Sequence, residues 1–95
     1  MNYSLEFKES AFKEWRKLDG AIREQFKKKL AERLKRPRVD SARLSGMADC
    51  YKIKLKNAGH RLVYQVDDNR IVVVVVAVGK RENLAVYRAA GNRVK

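Results

Sequence analysis

Apolar and charged residues alternate along Tyr51-Lys52-Ile53-Lys54-Leu55-Lys56, the period of a strand with one buried face. The turn residues Asn57-Ala58-Gly59-His60 interrupt it, and Arg61-Leu62-Val63-Tyr64-Gln65-Val66 resumes an extended pattern. A hairpin over Tyr51–Tyr64 is predicted. Burial of the apolar set sets Leu55 opposite Leu62, Ile53 opposite Tyr64 and Tyr51 opposite Val66. The other face then pairs Lys56 with Arg61, Lys54 with Val63 and Lys52 with Gln65. Tyr3, Leu5 and Phe7 mark an earlier strand over Asn2–Phe7. Phe12, Trp15 and Leu18 then recur at helical steps, and Asp19-Gly20 closes that helix, with Gly20 suited to a left-handed position and Asp19 to capping the next one. The second helix spans Ala21–Arg36, with Ile22, Phe26, Leu30 and Leu34 along one side and Pro37 as its stop. Val39–Ala48 reads as an irregular connector anchored by Leu44 and Met47. Asp67-Asp68-Asn69-Arg70 turns the chain into Ile71–Val78, eight apolar residues that would be covered on both faces of a central strand and ended by Gly79. A weak last helix is predicted over Asn83–Ala90, fraying at Gly91.

The order is β-α-α-β-β-β-α, an α+β fold in one domain spanning residues 1–95. The late strands form a meander, and the first strand joins its free side beside the last, giving four mainly antiparallel strands. The helical hairpin covers one face. The basic hairpin residues and the short C-terminal helix share the other.

Composition sharpens this picture through charge. Lys and Arg number 23 against 11 Asp and Glu, a formal charge of +12 on 95 residues. Such an excess points to a polyanionic or acidic partner. Like charges facing one another across a sheet oppose folding, so the cluster at Lys52, Lys54, Lys56 and Arg61 itself asks for an anion. The outer side of the second helix carries Arg23, Lys27, Lys28 and Arg33, which serve equally as a solvated face or as contacts to phosphates. Lys56 has the same two readings. One Cys and one His make neither an intramolecular disulfide nor a Cys/His metal site, and no metal or cofactor is expected. Ile71–Val78 is too short to span a bilayer as a helix, and the cytoplasm is the expected compartment.

The segments Lys13–Leu18 (KEWRKL), Arg23–Leu30, Asp49–Leu55 (DCYKIKL), Arg61–Val66 (RLVYQV) and Val78–Glu82 (VGKRE), with Tyr87 beyond, occur in an order and spacing that resembles the RelE toxins of bacterial toxin–antitoxin pairs. The resemblance runs over nearly the whole chain. It implies a ribosome-dependent endoribonuclease that cuts mRNA in the ribosomal A site, and an acidic cognate antitoxin as partner. It also implies the site residues Lys52, Lys54, Arg61, Arg81 and Tyr87, all present here. Ser45 stands where family members can carry an arginine, which subtracts one phosphate contact. Gyrase poisons of the same fold and a non-catalytic RNA-binding module are the competing readings; the complete basic set argues against the first.

RNA is cut without a metal when its own 2′-hydroxyl attacks the adjacent phosphorus. That step needs a base, positive charge for the phosphorane and an acid for the leaving 5′-oxygen. Lys54, crowded by other cations, is the expected base, assisted by Lys52. Arg61 would hold phosphorane charge, Arg81 the same phosphate and the leaving oxygen, and Tyr87 a base or the 2′-hydroxyl. His60 reads as a turn residue, Asp49 and Glu82 as partners that orient arginines, and Cys50 as a small buried apolar residue. The last helix, weakly apolar, is expected to yield its place to an acidic antitoxin segment.

Overall fold

A computed structural model describes residues 2–80, Glu82 and 85–94. Strands β1 (Ser4–Phe7), β2 (Cys50–Leu55), β3 (His60–Asp67) and β4 (Val72–Lys80) form one sheet in the order β1-β4-β3-β2. β1 runs parallel to β4, and the other pairings are antiparallel. Helices α1 (Glu9–Arg16) and α2 (Gly20–Lys35) cover one face, and α3 (Ala85–Arg93) lies on the other. The expected architecture is therefore observed, including the return of the first strand to the side of the last. Among the described residues no helix is long and apolar enough to cross a membrane.

β4 is central because its valines fill both layers. Val73, Val75 and Val78 join Tyr51, Ile53, Leu55, Leu62 and Tyr64 beneath Trp15, Phe26 and Leu30. Val76 and Ala77 join Cys50 and Val63 beneath Val86 and Ala90. A β-bulge makes this double duty possible: Val63 pairs with Ala77 but Tyr64 pairs with Val75, leaving Val76 as the extra residue.

The helices depart from the sequence reading in three places. In α1 the buried pair is Ala11 and Trp15, four apart, and Phe12 lies 46% exposed with its ring edge-on to Phe7. The three-residue step placed Phe12 in the core, but the 100° stripe runs through Ala11, which is small enough for close approach to the sheet. Gly20 begins α2 instead of ending α1, and Asp19 makes no side-chain cap. The turn is closed by Arg23, whose guanidinium donates to the carbonyls of Leu18 at 2.6 Å and Arg16 at 3.2 Å. α3 continues through Gly91 to Arg93.

Beyond Phe7, opposite Val75, β1 leaves the edge of β4 open. Two side chains complete it. The Glu14 carboxylate accepts the Val78 N–H at 3.1 Å, and Arg93 donates to the Val76 carbonyl at 2.8 Å. The two groups also meet each other through two hydrogen bonds of 2.9 and 3.1 Å. Arg93 is what carries α3 past its glycine.

At the opposite end Arg38 gathers three segments. It donates to Asp68 at 2.7 and 3.2 Å, to Asp49 at 3.0 Å and to the Tyr51 hydroxyl at 3.3 Å, while the Tyr3 hydroxyl donates to Asp68 at 2.6 Å. The Tyr3 hydrogen bond, then Arg38, hold the Asp68 carboxyl below its usual range, and the same hydrogen bond raises the Tyr3 phenol. A depressed carboxylate contributes stability above its unfolded value, and that contribution is lost as pH falls through the folded value; a raised phenol contributes below its unfolded value and loses it as pH rises. The difference in melting temperature between the parent and Asp68→Asn is therefore expected to be full at neutral pH, to begin shrinking below about pH 4, where unfolded aspartate itself protonates, and to vanish only once pH has fallen through the depressed folded value. The corresponding difference for Tyr3→Phe should begin to shrink above about pH 10, where the unfolded phenol ionises, and vanish only as pH rises through the raised folded value. Thermal melts across pH measure both. Differences that stay constant with pH would mean that the cluster does not titrate as a unit.

Candidate active site

Alternation puts Lys52 and Lys54 on the face of β2 away from α1 and α2, because Tyr51, Ile53 and Leu55 are buried beneath those helices. The register differs by two residues from the expected one. Tyr51 pairs with Tyr64, Ile53 with Leu62, Leu55 with His60, Lys54 with Arg61 and Lys52 with Val63. Burial fixes only which face a residue takes, and a slip of two preserves every face. The turn chemistry decides: Lys56-Asn57-Ala58-Gly59 forms the loop, with Gly59 at φ +65° and its N–H donating to the Lys56 carbonyl at 3.3 Å. His60 is consequently the first residue of β3, its Nδ1 2.8 Å from the Ala58 carbonyl oxygen.

This register brings Lys54 directly opposite Arg61, and Arg61 directly opposite Gly79 on β4. One rung across three strands thus reads lysine, arginine, glycine. Arg61 is only 7% exposed, the one charged side chain among the buried described residues. Its Nη1 donates to the His60 carbonyl at 2.9 Å, and among the described residues no carboxylate lies within ion-pair distance of it. A guanidinium held that way, its other donors meeting no acceptor among the described residues, can receive an anion from outside. Gly79 keeps the rung open above β4. A Cβ there would stand 3.1 Å from the Val86 methyl of α3, so the helix approaches the sheet closely beside Arg61's strand partner.

Lys54 is exposed, and its ammonium is easier to deprotonate than usual. Repulsion from Lys52 is the largest cause, followed by desolvation and by repulsion from Arg61 and Lys56. Tyr87 is half-buried on α3 and packs on the sheet layer that contains Val63, Val76 and Ala77. Lys52, Lys54, Arg61 and Tyr87 therefore share one side of the sheet. Arg81 lies outside the described residues.

The basic positions of α2 divide. Lys27 and Lys28 are exposed on the helical layer, across the sheet from Lys54, and Lys27 is 3.0 Å from Glu24. Arg23 is committed to the α1–α2 turn. Arg33 donates to the Lys52 carbonyl at 3.1 Å and to the Tyr64 hydroxyl at 2.9 Å, with its guanidinium 5.8 Å from the Tyr64 ring centre. These two arginines hold the fold, which weighs against the reading of them as phosphate contacts. Lys56 is exposed at the start of the hairpin loop, and Asp49 is paired with Arg38 as its expected role required. Cys50 is fully buried, and burial pushes its thiol up to about 11. Among the described residues no three of His, Cys, Asp and Glu are gathered closely enough to hold a metal ion. Sequence reasoning missed Gly79, whose signal was the V-G-K step, and the Glu14–Arg93 pair, 79 residues apart with no local signal.

The profile of the ParE toxin of type II toxin–antitoxin systems, parDE, matches residues 5–85. The chain is 56% identical over 94 residues to the mRNA interferase toxin RelE of Escherichia coli K12, covering 99% of both proteins. It superposes with a TM-score of 0.93 and 55% identity on an arginine-to-alanine double mutant of E. coli RelE in the free state, over 100% of each chain. It also matches the toxin chain of the intact E. coli RelBE toxin–antitoxin complex, with a TM-score of 0.82 and 58% identity over 85% of this chain and 99% of that one.

The rung makes a direct prediction about proton affinity. Removing the nearest like charge with Lys52→Met should raise the midpoint at which the Lys54 ammonium loses its proton, as read by NMR of the labelled side chain over an alkaline titration. An unmoved midpoint would mean that the lysines do not sense one another.

Proposed function

The chain belongs to the RelE toxins of the RelE/ParE superfamily of type II toxin–antitoxin systems, and from that premise we propose that it is a metal-independent endoribonuclease that enters the ribosomal A site, cuts the mRNA there and so stops translation. The observation that carries this reading is the Lys54–Arg61 rung: a lysine with weakened hold on its proton, facing a buried arginine that has no carboxylate partner among the described residues. Its cognate antitoxin, acidic and RelB-like, would be the partner that neutralises it, as expected for a +12 chain. A ribosome-directed enzyme works in the cytoplasm.

In this mechanism Lys54, assisted by Lys52, takes the proton of the 2′-hydroxyl. The oxygen attacks the adjacent phosphorus, and Arg61 receives the charge that builds on the phosphorane oxygens. Arg81 binds the same phosphate and helps deliver a proton drawn from solvent to the departing 5′-oxygen, which leaves as a 5′-hydroxyl. Tyr87 orients a base beside the attacking sugar. Lys28 and Lys56, both exposed, would meet phosphates of mRNA or ribosomal RNA, and Lys27 would do so by exchanging its exposed Glu24 partner for one. A lysine base, even a weakened one, is mostly protonated at neutral pH, so the rate depends on holding mRNA in an attack geometry. The ribosome supplies that alignment.

Cleavage of mRNA in a translation extract, with 5′ ends mapped in the presence and absence of ribosomes, tests the reading. Lys54→Ala, Arg61→Ala and Arg81→Ala should each slow cutting by about a hundredfold or more, while His60→Ala should stay within a few-fold. A His60→Ala variant as inactive as Arg81→Ala would displace lysine from the role of base. A transcript with a single 2′-deoxy sugar at the cut site should resist, and intact substrate should yield a 2′,3′-cyclic phosphate and a 5′-hydroxyl. Efficient cutting of the deoxy substrate would assign the attack to water.

A further inference from the structure

α3 is a nine-residue helix whose buried side chains, among the described residues, are Val86 and Ala90. A helix of that length has little stability of its own, and so small an apolar face gives it little hold on the sheet. Its polar anchor is the open stretch of β4 beyond β1. There the Val78 N–H and the Val76 carbonyl point to the side that no strand occupies, and the bulge at Val76 presents them together. A neighbouring strand would offer an acceptor to the first and a donor to the second. Glu14 from α1 supplies the acceptor and Arg93 from α3 the donor, and the two are joined in a fork of two hydrogen bonds. The side chains of Arg93 and Glu14 are 23% and 34% exposed, so the pair is shielded in part from water.

We propose that Glu14 and Arg93 are positioning residues that replace a missing strand at the edge of β4, fix α3 in place and thereby station Tyr87 on the hairpin face. The inference rests on the assignment of Tyr87 to the active site. It adds that the site depends on a carboxylate on the far helical layer. The polarity of the clasp is part of the claim. An ordinary ion pair is indifferent to which partner carries which charge. Here exchanging them would turn a guanidinium toward an N–H and a carboxylate toward a carbonyl.

The test uses the full chain and measures amide hydrogen exchange over residues 85–94 together with cleavage of ribosome-bound mRNA. Glu14→Ala should speed exchange in that segment by about tenfold or more, the loss expected for charged hydrogen bonds. It should lower kcat with little change in KM, because substrate binding on the hairpin is untouched. Glu14→Gln keeps an acceptor for Val78 and should fall between Glu14→Ala and the parent, which also covers the case in which Glu14→Ala fails to fold. The exchanged pair Glu14→Arg with Arg93→Glu should be no better than Glu14→Ala. Combined with Tyr87→Ala, Glu14→Ala should cost no more than Tyr87→Ala alone, since both act through one ring. Unchanged exchange over 85–94 in Glu14→Ala and Glu14→Gln would overturn the proposal, as would full rescue by the exchanged pair or losses that multiply in the double variant. The exchange measurement does not depend on catalysis. An active Lys54→Ala would remove the lysine base while leaving the clasp to be judged on its own.

Discussion

Two cations stand directly opposite one another in this hairpin, Lys54 on β2 and Arg61 on β3. Coulomb repulsion at a cross-strand distance disfavours that arrangement, and burial of Arg61 adds a desolvation cost. The remainder of the fold has to offset both. It does so from the reverse side of the same strands, where Tyr51, Ile53, Leu55, Leu62 and Tyr64 lie in the larger of the two core clusters under Trp15, Phe26 and Leu30. The apolar face holds the basic face together. The basic face can therefore remain under electrostatic tension that an anion would relieve.

The second constraint is the sheet's incomplete edge. β1 is four residues long and β4 nine, so part of the central strand has no neighbour on that side. Exposed strand edges invite pairing with other chains. Here the helical layers close around the edge from opposite faces, one contributing an acid and the other a base. The covering of the sheet and the seating of the last helix are thus a single arrangement.

The sequence was informative where a physical rule has one solution. Alternation assigned Lys52, Lys54 and Arg61 to one face, and the uninterrupted valines announced a strand buried on both. It was silent where two solutions obey the same rule. A hairpin slipped by two residues keeps every side chain on its face, so Lys54 was expected opposite Val63 and is found opposite Arg61. Arg23 and Arg33 read as surface charge because their hydrogen-bond partners, a helix end and the Lys52 carbonyl with the Tyr64 hydroxyl, become neighbours only in three dimensions. Phe12 lost its expected core position to Ala11 because close packing of a helix on a sheet rewards a small residue. The last helix outran its glycine for the reason that Arg93 has a partner on α1.

The bulge at Val76 has a consequence for how this protein can vary. With it, Val73, Val75 and Val78 all look inward to the helical hairpin, and Gly79 falls on the outer face beside Arg61. Exchanging one of the five valines between 72 and 76 for another apolar residue alters volume alone. Losing one alters phase. The bulge would be absorbed, and every side chain on one flank of it would change faces relative to the other. Either the core would lose its valines or the rung would gain a side chain where it now has glycine. The length of that run is therefore held more tightly than its composition, and drift in this family member is expected to proceed there by substitution and not by insertion or deletion.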